Sequence, residues 1–132
     1  TVLLIISLSS GNLQLTAISA LIALTFSHVP VAIVKKFYPR RRPYIALTDI
    51  NVTKKPLKDH SFPSGHTTAI FSIVTPFLLL QPVLSFILLL IATCVGISRI
   101  YLGLHYPSDV LAGALIGVIS GFITYSLLVQ AV

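Results

Sequence analysis

The chain has 132 residues, of which 55% are apolar and only 9% charged, with a formal net charge of +6; an ordinary soluble domain carries roughly 25% charged residues. This balance excludes a freely soluble globule and a disordered segment, both of which need more polar surface. Nucleic-acid binding is excluded as well, because the basic excess comes from one short block that ends at Lys58 and opens at Lys35.

Residues 1–34, 66–98 and 110–132 carry no charge at all, and each run exceeds the roughly 20 residues that span a hydrocarbon core. The bilayer is therefore the expected solvent. Residues 1–10 read as the end of a spanning helix, broken at Gly11 and Asn12. With no initiator Met and no basic start, the chain reads as a sequence cut into a helix and not as a signal peptide. Residues 13–34 give a second crossing, with Pro30 near its end. A polar loop over about 35–63 follows, interrupted by Pro39, Pro43 and Pro56. Apolar segments are then predicted over 64–80, with Pro76 inside and Gln81 and Pro82 closing it, over 83–98, and over 108–130. In the last, Gly113, Gly117 and Gly121 recur every four residues and read as a face for close helix packing. Cys94, the single cysteine, sits in an apolar run and reads as a small core residue. The fold class expected is all-α: a polytopic transmembrane helix bundle with about four to five spanning helices, forming one membrane-embedded domain over 1–132 whose N-terminal helices are missing from this sequence.

Counting crossings places the charges. If 13–34 ends at Lys35 on one side, 64–80 leaves from that side, 83–98 returns to it at Arg99, and 108–130 departs from it again. Every charged residue then lies at one face of the membrane. Gathering a basic loop, Arg99, His66, His105 and Asp109 at one level is a way to build an anion site.

Three clusters carry chemistry: Lys35, separated by six residues from Arg42 and Pro43, with Lys36 as the alternative lysine; Pro63, Ser64, Gly65 and His66; and Ser98 and Arg99 followed by His105 and Asp109. In type, order and spacing they resemble the three-part signature of the type 2 phosphatidic acid phosphatase (PAP2) superfamily, in its membrane lipid phosphatase branch. The resemblance implies a helical membrane fold, usually of six spanning helices, and hydrolysis of phosphate esters.

The residues support that chemistry on their own. Phosphoryl transfer needs charge stabilisation on the equatorial oxygens, an in-line nucleophile and a proton for the leaving oxygen. Lys35, Arg42 and Arg99 supply three cations, and Ser64 and Gly65 open a helix whose free N–H groups favour an anion. With no Glu and three scattered Asp, a carboxylate-rich two-metal centre has almost no ligands, so no metal and no cofactor is expected. His105 is assigned as the nucleophile that forms a phosphohistidine, Asp109 as the group that orients it, and His66 as the acid and then the base. These roles match those of the corresponding family positions. His28 and His60 fall in no motif and read as structural, while Lys36, Arg40 and Arg41 read as solvated or headgroup contacts. Tyr101 and Tyr106 suit an interfacial belt.

The function expected is an integral-membrane lipid phosphate phosphatase, with undecaprenyl diphosphate, phosphatidylglycerol phosphate and phosphatidic acid all compatible. Its partners are the lipid substrate and the bilayer, with no nucleic acid; the sequence says nothing of oligomeric state. The alternatives are a non-catalytic subunit that binds anionic lipids, and a phosphatase of soluble esters resembling glucose-6-phosphatase. Eight of the nine Lys and Arg lie in one loop, which would put it in the cytoplasm by the positive-inside rule. The resemblance instead implies a bacterial cell membrane with the site at the extracytoplasmic face, and that assignment is preferred because Lys35 and Arg42 are present for chemistry.

Overall fold

A computed structural model describes residues 11–47, 59–80 and 82–131. The expected helix over 1–10 and the loop residues Asp49, Lys54, Lys55 and Lys58 lie outside the described residues. The described residues form five helices: α1 (Gly11–Phe37), the single-turn α2 (Pro43–Ala46), α3 (Gly65–Leu80), α4 (Pro82–Tyr101) and α5 (Pro107–Ala131). Helices α1, α4 and α5 are long and apolar enough to cross a membrane, and α3 is a shorter apolar helix. At 1.5 Å per residue, the 16 residues of α3 span about 24 Å.

Several boundaries differ from the sequence reading: Gly11 and Asn12, read as a break, are helical residues of α1. Helix α1 runs three residues beyond the expected end, through Lys35 and Lys36. No breaker intervenes before Pro39, and cations in a last turn are favourable to the helix dipole. Helix α4 continues past residue 98 to Tyr101, so Arg99 stands in its last turn. The expected polar loop is also not wholly irregular, since Pro43 at the first position of α2 starts a helical turn within it.

Helix α3 lies between α1, α4 and α5, and α1 also packs on α5. The body of this bundle is built from small side chains. Ala17, Ala20 and Ala23 of α1, Thr67, Thr68, Ser72 and Thr75 of α3, and Gly113, Gly117 and Gly121 of α5 are all buried. The glycine face does what its spacing predicts. A β-carbon on Gly117 would stand 2.6 Å from the Thr68 carbonyl oxygen and 2.7 Å from Phe71 Cβ, so the two backbones meet at a distance only glycine allows. Buried hydroxyls are satisfied within their own helices, as when Thr75 Oγ1 donates to the Phe71 carbonyl at 2.7 Å and Ser19 Oγ to Leu15 at 2.8 Å. Apart from Val74 and Phe77 of α3, which are buried, most large apolar side chains point outward: Val83 is 82% exposed and Phe86 67%. In water such a surface would drive aggregation, whereas in a bilayer it meets lipid tails.

Candidate active site

The polar end of the bundle is where the C-termini of α1 and α4 meet the N-termini of α3 and α5. There a cleft of about 710 Å³ is lined by Lys35, Arg42, Asp59, Gly65, His66 and His105, and it continues down α1 past His28 to Leu24. Residues 24, 28, 31 and 35 fall on one face of α1, so the cleft joins a polar mouth to an apolar floor.

Lys35 and Arg42 both reach Asp59. The Lys35 ammonium donates to Asp59 Oδ2, and Arg42 Nη2 donates to Asp59 Oδ1 at 2.6 Å. Lys36 is exposed and does not line the cleft. Arg42 is buried, and its other N–H groups go to the Asp59 carbonyl (3.1 Å), the Leu104 carbonyl (2.9 Å), the His60 carbonyl (3.5 Å) and His105 Nε2 (3.0 Å). Burial alone pushes the Asp59 carboxyl up, but the hydrogen bonds from Lys35 and Arg42 outweigh it and bring the group to about 2.

The bond pattern defines the state of His105. A carbonyl only accepts, so the 2.7 Å contact of Nδ1 with the Ser61 carbonyl puts the ring proton on Nδ1. Arginine only donates, so Nε2 meets Arg42 with its lone pair. Burial and the Arg42 guanidinium keep the imidazole well below its usual pKa and hence neutral. The loop carrying this ring is fastened by Arg99, whose carbonyl accepts from the Leu104 and His105 amides at 3.2 Å each. Gly103, at φ 68°, makes the left-handed turn after α4. The Arg99 side chain is not among the cleft-lining groups, but its Nε is buried and has no partner among the described residues.

Asp109 stands behind the ring and is fully buried. It reaches back as its place in the first turn of α5 predicts, but to other groups: Oδ2 accepts from the Tyr106 amide at 2.8 Å and from the Ser61 hydroxyl, and Oδ1 from Arg40 Nη1 at 2.8 Å. Its distance to His105 Nδ1 is 3.6 Å, so the direct acceptor of that proton is the Ser61 carbonyl and not the carboxylate expected. Ser64 is likewise turned away from the cleft. It is buried at the start of α3, its hydroxyl on Thr67 Oγ1 at 2.9 Å and its amide on the Asp109 carbonyl at 2.9 Å. Gly65 faces open space, with nothing within 4 Å of where a β-carbon would stand. His66 is exposed on the cleft wall.

The sequence matches the PAP2 superfamily over residues 16–132. The chain belongs to that superfamily. It is 37% identical over 112 residues to a Bacillus licheniformis protein named bacitracin transport permease protein BcrC, covering 85% of this chain and 55% of the relative. It is 34% identical to the undecaprenyl-diphosphatase BcrC of Bacillus subtilis, covering 67% of this chain and 45% of that one. Among solved structures, Aquifex aeolicus LpxE superposes with a TM-score of 0.76 at 38% identity, over 84% of this chain and 67% of the other. The chain thus spans about half the length of the curated relatives it matches.

Three groups of this PAP2 site escape the motif spacing. Asp59 bridges two of the cations, Ser61 holds the His105 proton, and Arg40, read from sequence as a solvated or headgroup contact, is bound to Asp109 and stacks 4.0 Å over the Tyr106 ring. His28, read as structural, lines the cleft. For Arg40 a signal existed: the chain has three carboxylates, and any that is buried needs a cation.

Proposed function

We propose that this chain hydrolyses a phosphate or diphosphate carried by a membrane lipid, through a phosphohistidine on His105. The observation that carries the reading is the neutral His105, its Nε2 lone pair free of a proton, on the wall of a cleft whose other polar walls are Lys35, Arg42, Gly65 and His66. A phosphate entering there replaces Asp59 on Lys35 and Arg42, and Arg42 passes its Nε2-directed N–H to a phosphate oxygen, which uncovers the nucleophile. Arg99, with its unpartnered Nε, the amide of Gly65, and Ser64 once its hydroxyl turns from Thr67 complete the anion hold. Nε2 then attacks phosphorus, the bond to the leaving oxygen breaks, and His66 protonates that oxygen. Water then attacks phosphorus as His66 takes its proton, the phosphorus–nitrogen bond breaks with its electron pair returning to Nε2, and phosphate leaves with His105 neutral again. Asp109 orients the ring from behind.

Among lipid phosphates, undecaprenyl diphosphate is favoured by the names of several relatives. Others are named lipid A 1-phosphatase and phosphatidylglycerophosphatase B. The site is assigned to the extracytoplasmic face of a bacterial membrane; labelling of a Thr53→Cys, Cys94→Ala variant by an impermeant thiol reagent on intact cells tests this.

The deciding experiment measures phosphate release from undecaprenyl diphosphate by purified protein in detergent with a chelator present. Activity should persist, and His66→Ala with a good-leaving-group substrate should accumulate an acid-labile phosphoprotein that His105→Ala lacks. Complete loss on chelation, restored by Mg²⁺, or a phosphoprotein in His105→Ala, overturns the reading.

A further inference from the structure

The structure assigns to Arg40 the role of a positioning residue for His105, acting through a closed ring of three hydrogen bonds with Ser61 and Asp109; the assignment rests on the proposed role of His105. The Ser61 amide donates to the Arg40 carbonyl at 2.9 Å, the Ser61 hydroxyl to Asp109 Oδ2, and Arg40 Nη1 to Asp109 Oδ1 at 2.8 Å. Held in this ring, the Ser61 carbonyl accepts the Nδ1 proton of His105 at 2.7 Å. The same Arg40 Nη1 bonds Ser108 Oγ at 2.7 Å, and its guanidinium covers the Tyr106 ring, so Arg40 also grips the residues that lead into Asp109 at the start of α5.

The ring explains how a backbone carbonyl serves as a fixed acceptor. A loop carbonyl alone is poorly placed, but Ser61 is held by both its amide and its hydroxyl, to partners that Arg40 ties together. Arg40 also supplies the charge that a fully buried carboxylate needs. Without it, Asp109 presents an uncompensated negative charge 3.6 Å from Nδ1, which favours the imidazolium and so removes the nucleophilic lone pair. The other groups facing His105 are Arg42, Lys35, Asp59 and His66 around the cleft, and the side-chain hydrogen bonds of Lys35 and Arg42 go to Asp59, His60, Leu104 and His105, not to Arg40, Ser61 or Asp109.

The test compares Arg40→Gln, Arg40→Lys and Ser61→Ala with the parent protein in detergent, with His105→Ala alongside. A catalytic group displaced by ~1 Å loses about a hundredfold in rate. Arg40→Gln is expected to lose kcat on that scale with KM within about twofold, and to move the acid limb of kcat/KM to higher pH, because the imidazole becomes easier to protonate. Arg40→Lys should recover part of kcat and of the pH profile, and Ser61→Ala should shift both the same way by less. The double variant Arg40→Gln, Asp109→Asn should be no slower than Asp109→Asn alone. Parent-like kcat in Arg40→Gln, a loss confined to KM, an unmoved acid limb, or additive losses in the double variant would each refute the assignment. If Arg40→Gln does not fold, the pH profiles of Arg40→Lys and Ser61→Ala decide it. Full activity in His105→Ala would instead refute the reading of the nucleophile, a separate outcome.

Discussion

The body of the bundle and its polar end solve opposite packing problems. In the body most large side chains face outward and the interior is chiefly alanine, glycine, serine and threonine, with Val31, Val74 and Phe77 among them. Nothing is gained there by hiding Leu or Phe from a solvent as apolar as they are, so what holds the helices is close contact between backbones. At the polar end the interior is charged, and Arg42, Asp109 and His105 are buried with every bond accounted for. The body is therefore sensitive to an added atom and the polar end to a removed donor or acceptor.

The largest separation of the two regions should come from His105→Ala. Turnover should fall at least about 1,000-fold, while helical circular dichroism and the elution profile in detergent stay those of the parent. A variant that loses activity by unfolding would show that the two regions are not independent. Next come two glycines. Gly117→Val puts its side chain into the Thr68 carbonyl and Phe71 and should lower stability by about 1–3 kcal/mol or more in thermal unfolding. Gly65→Ala meets open space, so stability should hold while vanadate inhibition weakens. Equal melting losses at the two positions would erase the contrast.

The smallest effect concerns Asp59, which occupies Lys35 and Arg42 as a phosphate would. Asp59→Asn should tighten vanadate inhibition by a few-fold, since an exposed ion pair is worth only about 1 kcal/mol or less. The sign with pH follows from its lowered pKa: the carboxylate is charged, and competes, above its ordinary value near 3.8, and ceases to compete only as pH falls toward about 2. The ratio of inhibition constants between parent and variant should therefore be the same at pH 6 and pH 8. His105 is shifted down as well, so its neutral form persists below the usual 6.5, and the acid limb of kcat/KM should lie below that value.

The motif spacing located the cleft, because the residue types it picks out come together there. Lys35, Arg42, His66 and His105 were legible in that way, although Lys36 stayed an alternative to Lys35 until the cleft, which Lys35 lines and Lys36 does not, separated them. What holds those groups was less legible. Asp59 meets Arg42 across 17 residues and Asp109 meets Arg40 across 69, and no local periodicity encodes such pairings. The acceptor for His105 Nδ1 left no trace at all, since a backbone carbonyl belongs to every residue type. For the fold, charge-free runs gave the helices, and Gly113, Gly117 and Gly121 gave the α5 face. The ends of α1 and α4 ran further than the apolar runs because basic residues continue a helix at its C-terminus.

The length of α3 has a consequence for the lipid around the protein. At about 24 Å it falls short of a hydrocarbon slab of ~30 Å by roughly 6 Å, while α1, α4 and α5 are long enough to cross. Ser64 stands level with Asp109, Thr68 with Gly117 and Thr75 with Gly121, so α3 and α5 start together at the polar end and α3 stops short at the opposite one. Thinning or tilt that relieves the shortfall is then felt in the far leaflet. Host-membrane thickness should thus act on the end of the bundle away from the cleft and leave the depth of Gly65 and His66 unchanged.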